Sequence, residues 1–278
     1  MSGNNVKILL DGIPLIDRGA TKQSLSQLDV NSIERVEIVE GPMSVVYGTD
    51  ALAGVINIIT KKGDGYSEEN TWRVGARVQE ESMGKEYDFF KDKGLHNESI
   101  DLGFNHKSGL FVNGGYTRNN HGGWQGDLTG REKRWHPKDQ ALMNGMFGFQ
   151  NRNMNVWYRL DFLDEKIFGP NNGSELQPEK VSDKDFLTKR YTHQLQSDWK
   201  LDNRLDVHAA LSYQDYKRRT RTTESDLSTG EKWLSSAEAS QDITQYKAWI
   251  ARATVAWNIA PEFSVQPGVE YQWTQGEG

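Results

Sequence analysis

Phe263-Ser264-Val265-Gln266-Pro267-Gly268-Val269-Glu270-Tyr271-Gln272-Trp273-Thr274 alternates without interruption. The odd positions are Phe, Val, Pro, Val, Tyr and Trp, and the even ones are Ser, Gln, Gly, Glu, Gln and Thr. Successive side chains of a strand point to opposite faces, so the segment predicts a strand with one apolar row and one polar row. Residues 205–214 repeat the pattern, with Leu205, Val207, Ala209, Leu211 and Tyr213 on one face. Trp249, Ala251, Ala253, Val255 and Trp257 make a third row. Weaker versions occur at 72–78, 100–104, 110–116, 143–149, 154–162 and 191–199, giving about nine strands by the period-two template.

The connections between these rows are tight around 107–109, 151–153, 201–203 and 260–261, and long and polar at roughly 80–94, 119–140, 164–185 and 222–243. Short and long alternate strictly. In an antiparallel meander every second turn lies at the same end, so one end is trimmed and the other decorated, as in outer-membrane barrels. The row from Phe263 to Trp273, at ~3.3 Å per residue and a tilt near 40°, is about 25 Å tall, the height of a lipid-facing band with aromatic rims. The expected fold is therefore mainly β, part of a transmembrane antiparallel barrel. Single-chain bacterial barrels have an even number of strands and tolerate no open edge in lipid. An odd set, with no secretory leader at the N-terminus, predicts an internal piece of a longer protein.

Composition agrees with a sheet that is wet on one face. The 278 residues are only 36% apolar, yet include 9 Trp, 10 Tyr and 10 Phe. That is too few aliphatics for one large dry core and too many aromatics for disorder. The absence of Cys removes disulfides, thiolate metal sites and cysteine nucleophiles. The net charge of −6 and the lack of a long basic block exclude a duplex-binding footprint.

Residues 1–63 have another grammar. Val6, Ile8, Leu9 and Leu10 form a short apolar run before an Asp11-Gly12 turn. Residues 35–39 read as a strand. Gly41-Pro42 opens a short helix that Gly48 stops. Residues 55–60, nearly all β-branched, predict a strand covered on both faces. A polar linker follows at 64–70.

The stretch from Ser32 to Lys62 closely resembles the end of the plug domain in TonB-dependent outer-membrane receptors. Arg35, Gly41, Pro42, Tyr47, Gly48, Gly54 and Asn57 carry its structural motif, and residues 6–15 are similar to the middle plug strands of that family. The resemblance implies a small α+β plug fragment at 1–63, followed at 71–278 by the first strands of a 22-stranded barrel, about nine of them here. It implies active uptake of an iron-siderophore or similar micronutrient complex such as haem or cobalamin, no enzymatic activity and no cofactor. The implied partners are that ligand, outer-membrane lipid or lipopolysaccharide, and the TonB complex, whose box has no counterpart here. Glu40 stands where many relatives carry a basic residue before Gly-Pro, so a salt bridge inferred from that base is not carried over.

Two loops carry candidate chemistry. Leu15, Ile16, Asp17 and Arg18 match a plug apex that faces ligand in relatives, although loop residues more often are merely solvated. Trp124, Arg131 and Trp135, in the long connection at 119–140, combine aromatic faces with a guanidinium suited to an anionic aromatic chelate, or form an ordinary outer loop. His121 and His136 lack helical spacing, so no metal site is expected. Lys217-Arg218-Arg219-Thr220-Arg221, the densest basic cluster, continues an apolar row and is expected at headgroup level near lipopolysaccharide phosphates, or simply solvated. The alternatives are an outer-membrane barrel protease or lipase, which needs no plug, and a soluble β-sheet binding module, which would bury Trp249, Trp257 and Trp273 in a core.

Overall fold

The computed structural model describes residues 6–15, 25–40, 54–62, 69–90 and 92–277. They form two sheets. The smaller contains β1 (Val6–Leu10), β2 (Ile13–Pro14), β3 (Ile33–Glu40) and β4 (Gly54–Thr60), in the order β2-β1-β4-β3. β1 and β4 are parallel, and β3 is antiparallel to β4. β4 is central, which explains its β-branched run: Val55 and Ile58 are buried, and Ile58 joins Leu10 and Leu28 in a small apolar cluster. Asp11 and Gly12, with φ of 50° and 80°, make the primed turn between β1 and β2. Gly54 has φ +149°, and a Cβ there would lie 2.5 Å from the carbonyl oxygen of Val39. Gly54→Ala is accordingly expected to cost about 1–3 kcal/mol, read as a lower urea midpoint with an unchanged slope. The expected helix, with Gly41, Pro42, Tyr47 and Gly48, lies outside the described residues.

The larger sheet is an antiparallel meander of β5 (Thr71–Glu81), β6 (Leu95–Asn105), β7 (Leu110–His121), β8 (Lys138–Gln150), β9 (Met154–Gly169), β10 (Lys180–Lys200), β11 (Leu205–Asp226), β12 (Lys232–Leu234), β13 (Ile243–Ala260), β14 (Phe263–Val265) and β15 (Gly268–Glu277). β12 is a short flap on the far end of β11. β14 and β15 both pair with β13 in one continuous register, Trp257 with Val265 and Ala253 with Val269. They are one strand interrupted at Pro267, which has no N–H to give the ladder, so nine long strand positions result. The sheet is not closed.

Several strands run further than their apolar rows predict. β9 reaches Gly169, β10 begins at Lys180 and β11 ends at Asp226, so much of the expected loops at 164–185 and 222–243 is paired strand. Charged and polar residues outnumber the apolar ones on both faces there, with only Ile167, Phe168 and Val181 as exceptions in 164–169 and 180–185, which erases the hydrophobic period. The ladder is supported instead by cross-strand charges, including Lys189–Asp164 and Lys166–Asp185, each at 3.4 Å.

Burial across this sheet is the reverse of a soluble protein's. The face that carries the small sheet buries polar side chains, with Thr192, Gln194, Ser212 and Gln214 each 1% exposed. The opposite face shows its apolar rows to the outside, with Leu195 at 46%, Val269 at 68% and Trp72 at 77%. A contiguous apolar face of this extent marks an interaction surface rather than a wall in water. Trp249, Trp257 and Trp273 lie on it, all exposed, so the dry core required by a soluble module is not where their rows point.

Candidate functional site

The small sheet is held to the inner face of the large one by side chains reaching across from alternate positions of the long strands. The turn after β1 leaves carbonyl groups outside any ladder, and each must find a donor. Gln194 Nε2 donates to the Leu10 carbonyl at 3.3 Å and Gln196 Nε2 to that of Asp11 at 2.8 Å. Arg252 Nη1 donates to Gly12 and Gln214 Nε2 to Pro14, both at 2.8 Å. Asp11 turns its carboxylate back into the small sheet, accepting from Thr60 N at 3.0 Å and Thr60 Oγ1 at 2.7 Å. Asn57 fixes the same turn, accepting from Gly12 N at 2.9 Å and donating to Glu37 at 3.1 Å.

Nearer the long connections, a short 3-10 turn at Val30–Ser32 is capped by Asp29, whose carboxylate accepts from Asn31 N at 3.0 Å. The same carboxylate accepts from Thr117 Oγ1 at 2.9 Å and Asn144 Nδ2 at 3.1 Å, so one residue ends a helical turn and docks it to β7 and β8. Gln27 donates to Glu165 at 2.8 Å, and its carbonyl accepts from Arg190 Nη2 at 2.7 Å. Gln140 bridges the Ser26 carbonyl at 2.9 Å and Glu165 at 2.7 Å. Arg159, buried, donates to Ser32 Oγ at 3.2 Å and pairs with Asp161 at 2.6 Å. Apolar contact across this interface is confined to small groups such as Ile13 with Ala210 and Ile250.

In the outer loop, Trp124 and Trp135 form an antiparallel bridge through mutual N–H···O bonds of 2.9 and 3.0 Å, with ring centroids 5.3 Å apart. Arg131 grips Asp183 of β10 with both Nη atoms, at 3.0 and 2.6 Å, and the Asn171 carbonyl at 2.9 Å. Its own N–H donates to Asn172 Oδ1 at 2.7 Å. The guanidinium read as a ligand contact is thus engaged in tying two outer loops together. Arg131→Ala should release that tie, producing a protease cut within 122–137 that the parent resists, with little change in melting. Arg134 donates to Asp127 and holds that carboxyl below the usual carboxylate range. Leu15 packs beside the Leu10–Leu28–Ile58 cluster, whereas Ile16, Asp17 and Arg18 lie outside the described residues. Arg35 is exposed on the edge strand β3 between Glu34 and Glu37.

Sequence reasoning missed an open cavity of about 310 Å³ between that loop and β9–β10, lined among others by Lys133, His136, Lys184 and Phe186. Lys184 lay in a segment expected to be loop, and Phe186 just beyond it, ahead of the row expected at 191–199. Only the strand parity, shared with Arg190 and Gln194, turns them to the inner face.

The family profile described as TonB-dependent Receptor Plug Domain matches residues 1–55. The vitamin B12 transporter BtuB of Vibrio vulnificus (strain CMCP6) is 41% identical over 75 residues, 27% of this chain and 12% of that protein. Among solved structures, the ferric yersiniabactin uptake receptor FyuA from Yersinia pestis aligns with 98% of the chain and 52% of its own length, at TM-score 0.58 and 12% identity. The siderophore receptor PiuA from Acinetobacter baumannii aligns with 97% of the chain and 38% of its own, at TM-score 0.60 and 11% identity. The ferric citrate transporter FecA does so with 98% and 48%, at TM-score 0.57 and 13% identity. The chain therefore spans about half the length or less of these proteins, and the structural likeness speaks to fold. Residues 1–55 thus carry the sequence of a TonB-dependent receptor plug domain, and the small sheet seated on the polar face of a long antiparallel meander has the fold of about half of such a receptor.

Proposed function

We propose that this chain is the plug-and-wall part of a bacterial outer-membrane receptor that actively takes up an iron-siderophore or a similar micronutrient complex, and that it is not an enzyme. Residues 1–63 act as the end of the plug, 64–70 as a linker and 71–278 as the first barrel strands. Ligand meets the apex at Leu15, Ile16, Asp17 and Arg18 and the outer loop at Trp124, Arg131 and Trp135, and the TonB complex supplies the energy.

The observation that carries this reading is the polar junction between the sheets. Each intramolecular hydrogen bond there is worth only about 0.5–1.5 kcal/mol net, because water can replace it. A stopper held by Gln194, Gln196, Gln214 and Asp29 can shift in a wet lumen without exposing a dry core. A static domain interface has no need to be hydrated so readily.

The test is accumulation of labelled ferric chelates, haem and cobalamin by cells with the gene intact or disrupted. Disruption should abolish uptake of one ligand class, and loss of TonB should do the same. Undiminished uptake of every ligand in the disrupted strain would sink the reading.

A further inference from the structure

The connection between β5 and β6 folds back over the two strands it joins, and its anchor is His96, the second residue of β6 and only 4% exposed. By strand parity His96 shares the outer face with Ile100 and Leu102, and it stands directly opposite Glu80 of β5. Its Nδ1 lies 2.7 Å from Glu80 Oε2, and its Nε2 lies 3.1 Å from the Lys93 carbonyl oxygen. Both neighbours accept hydrogen bonds. A neutral imidazole has one N–H and the protonated ring has two, so the imidazolium satisfies both. Glu80 Oε2 also accepts from the Tyr87 hydroxyl at 3.0 Å and from Phe90 N at 3.4 Å. An oxygen that gathers three donors is used as a carboxylate oxygen, which puts the proton on the ring rather than on Glu80.

The same contacts shape the connection. The Lys93 carbonyl accepts a second bond, from Asp88 N at 3.0 Å, and Met83 and Glu86 exchange two backbone bonds of 3.0 Å. The Gly94 carbonyl accepts from Gly122 N at 3.0 Å, which joins the connection to the loop carrying Trp124 and Trp135. The approach is close, since a Cβ on Gly122 would lie 1.5 Å from the Asp92 carbonyl oxygen. Few ionisable groups surround the ring. Glu80 faces it from β5, and Tyr87 from the connection, with ring centroids 6.3 Å apart. On β7 the opposing residue is the uncharged Asn120. Glu98 shares the face along β6 but lies opposite Arg118, which pairs with Asp139 at 3.2 Å. His121 lies opposite Leu95 and so belongs to the other face.

We propose that His96 is a proton-operated latch: the protonated ring holds residues 82–94 down on β5 and β6 and against the Trp124 loop, and loss of its proton releases them. With one proton fewer, either Nδ1 turns a lone pair toward Glu80 or Nε2 turns one toward the Lys93 carbonyl. One charge-assisted hydrogen bond then becomes a repulsion, in a site nearly closed to water. The latched arrangement is therefore stabilised in acid, and that contribution is lost as pH rises through the interval of about 5 to 8 in which histidine changes charge. Through the Gly94–Gly122 bond, release also frees one side of the outer loop that holds Trp124 and Trp135. The posture of that loop thus responds to proton concentration, whichever ligand the protein carries.

The chain contains no Cys, so a single nitroxide label can be introduced by substitution. Lys85→Cys, at an exposed turn of the connection, reports its motion through the electron paramagnetic resonance line shape, and Arg152→Cys, in the exposed turn between β8 and β9, is the reference. Both labelled proteins are titrated in non-ionic detergent from about pH 5 to pH 8. The ratio of mobile to immobile signal at position 85 should rise about tenfold, as loss of one charge-assisted hydrogen bond gives, while the reference stays constant. His96→Gln cannot take up the charge and should show the mobile signal throughout. Glu80→Gln should move the transition to lower pH, because the carboxylate that favours the charged ring is gone. A constant signal at position 85, an equal rise at position 152, or a parent-like transition in His96→Gln overturns the inference. If His96→Gln does not fold, the Glu80→Gln titration decides, and a midpoint that is unchanged or raised overturns it. Neither label reads ligand or membrane, so failure here leaves the receptor reading untouched.

Discussion

Arg159→Met is expected to lower stability by about 3–5 kcal/mol, the usual consequence of removing one partner from a buried ion pair. The Arg159 side chain is 3% exposed and bonds Asp161, with Asp11 and Asp29 of the small sheet also in its field. Taking away the guanidinium leaves Asp161 and Asp29 without it, while Asp11 keeps only Lys62 at 3.7 Å. It also leaves Ser32 Oγ without a donor it now has at 3.2 Å. The small sheet should loosen first, because its hold on β9 passes through this residue as well as through the Gln27–Glu165 hydrogen bond. The measurement is the denaturant midpoint together with protease access to residues 25–40. The double variant Arg159→Met, Asp161→Leu should lose less than the single one, since it removes the stranded charge as well. A single variant as stable as the parent would mean that the pair contributes nothing to docking.

Ala253→Arg should cost about 2–4 kcal/mol when the protein folds into a bilayer, and Val265→Arg about 0–1 kcal/mol, because the penalty for a cation on a lipid-facing strand falls with distance from the midplane. Ala253 lies on the outer face opposite Ala209 and Val269, in the middle of the row that Trp249 and Trp257 bracket, whereas Val265 sits beside Trp257 at the rim. In water the same side chain is exposed, and a surface substitution there should stay within about 0.5 kcal/mol. The size of the effect therefore discriminates between a membrane wall and a soluble sheet. Reversible folding into vesicles, followed by tryptophan fluorescence, measures it. Equal and negligible costs at both positions would refute the lipid-facing assignment of these rows.

Strand legibility followed the contrast between the two faces. Where one face is apolar and the other polar, as from Leu205 to Gln214, period-two alternation located the strand and its orientation. Where both faces are charged, as from Asp164 to Lys166 or Lys180 to Lys184, the period vanished and strands were read as loops. Pro267 had the opposite effect. It fitted the apolar row by type, yet its missing N–H divides the ladder into β14 and β15.

Site residues were less accessible still. Trp124 and Trp135 could be picked out as aromatics in a long loop, but their mutual bridge depends on backbone pairing. Arg131 could likewise be picked out as a guanidinium in that loop, but its pairing with Asp183, 52 positions away in what the alternation presented as another loop, depends on the fold.

The sequence by itself determined the number of long strands, the alternation of short and long connections, which rows are apolar, and the plug-like character of residues 32–62. All of these depend on neighbours along the chain, through strand parity, turn chemistry and the order of motif residues. Only the tertiary structure decided which polar groups meet. Gln196 with Asp11, Asp29 with Thr117 and Lys217 against Lys189 are separated by tens to hundreds of positions, or by a register that a single-residue slip would have reversed. Hydrogen bonds and charge pairs act over a few ångströms. Their partners are therefore set by the docking of one sheet on the other, not by any period in the chain.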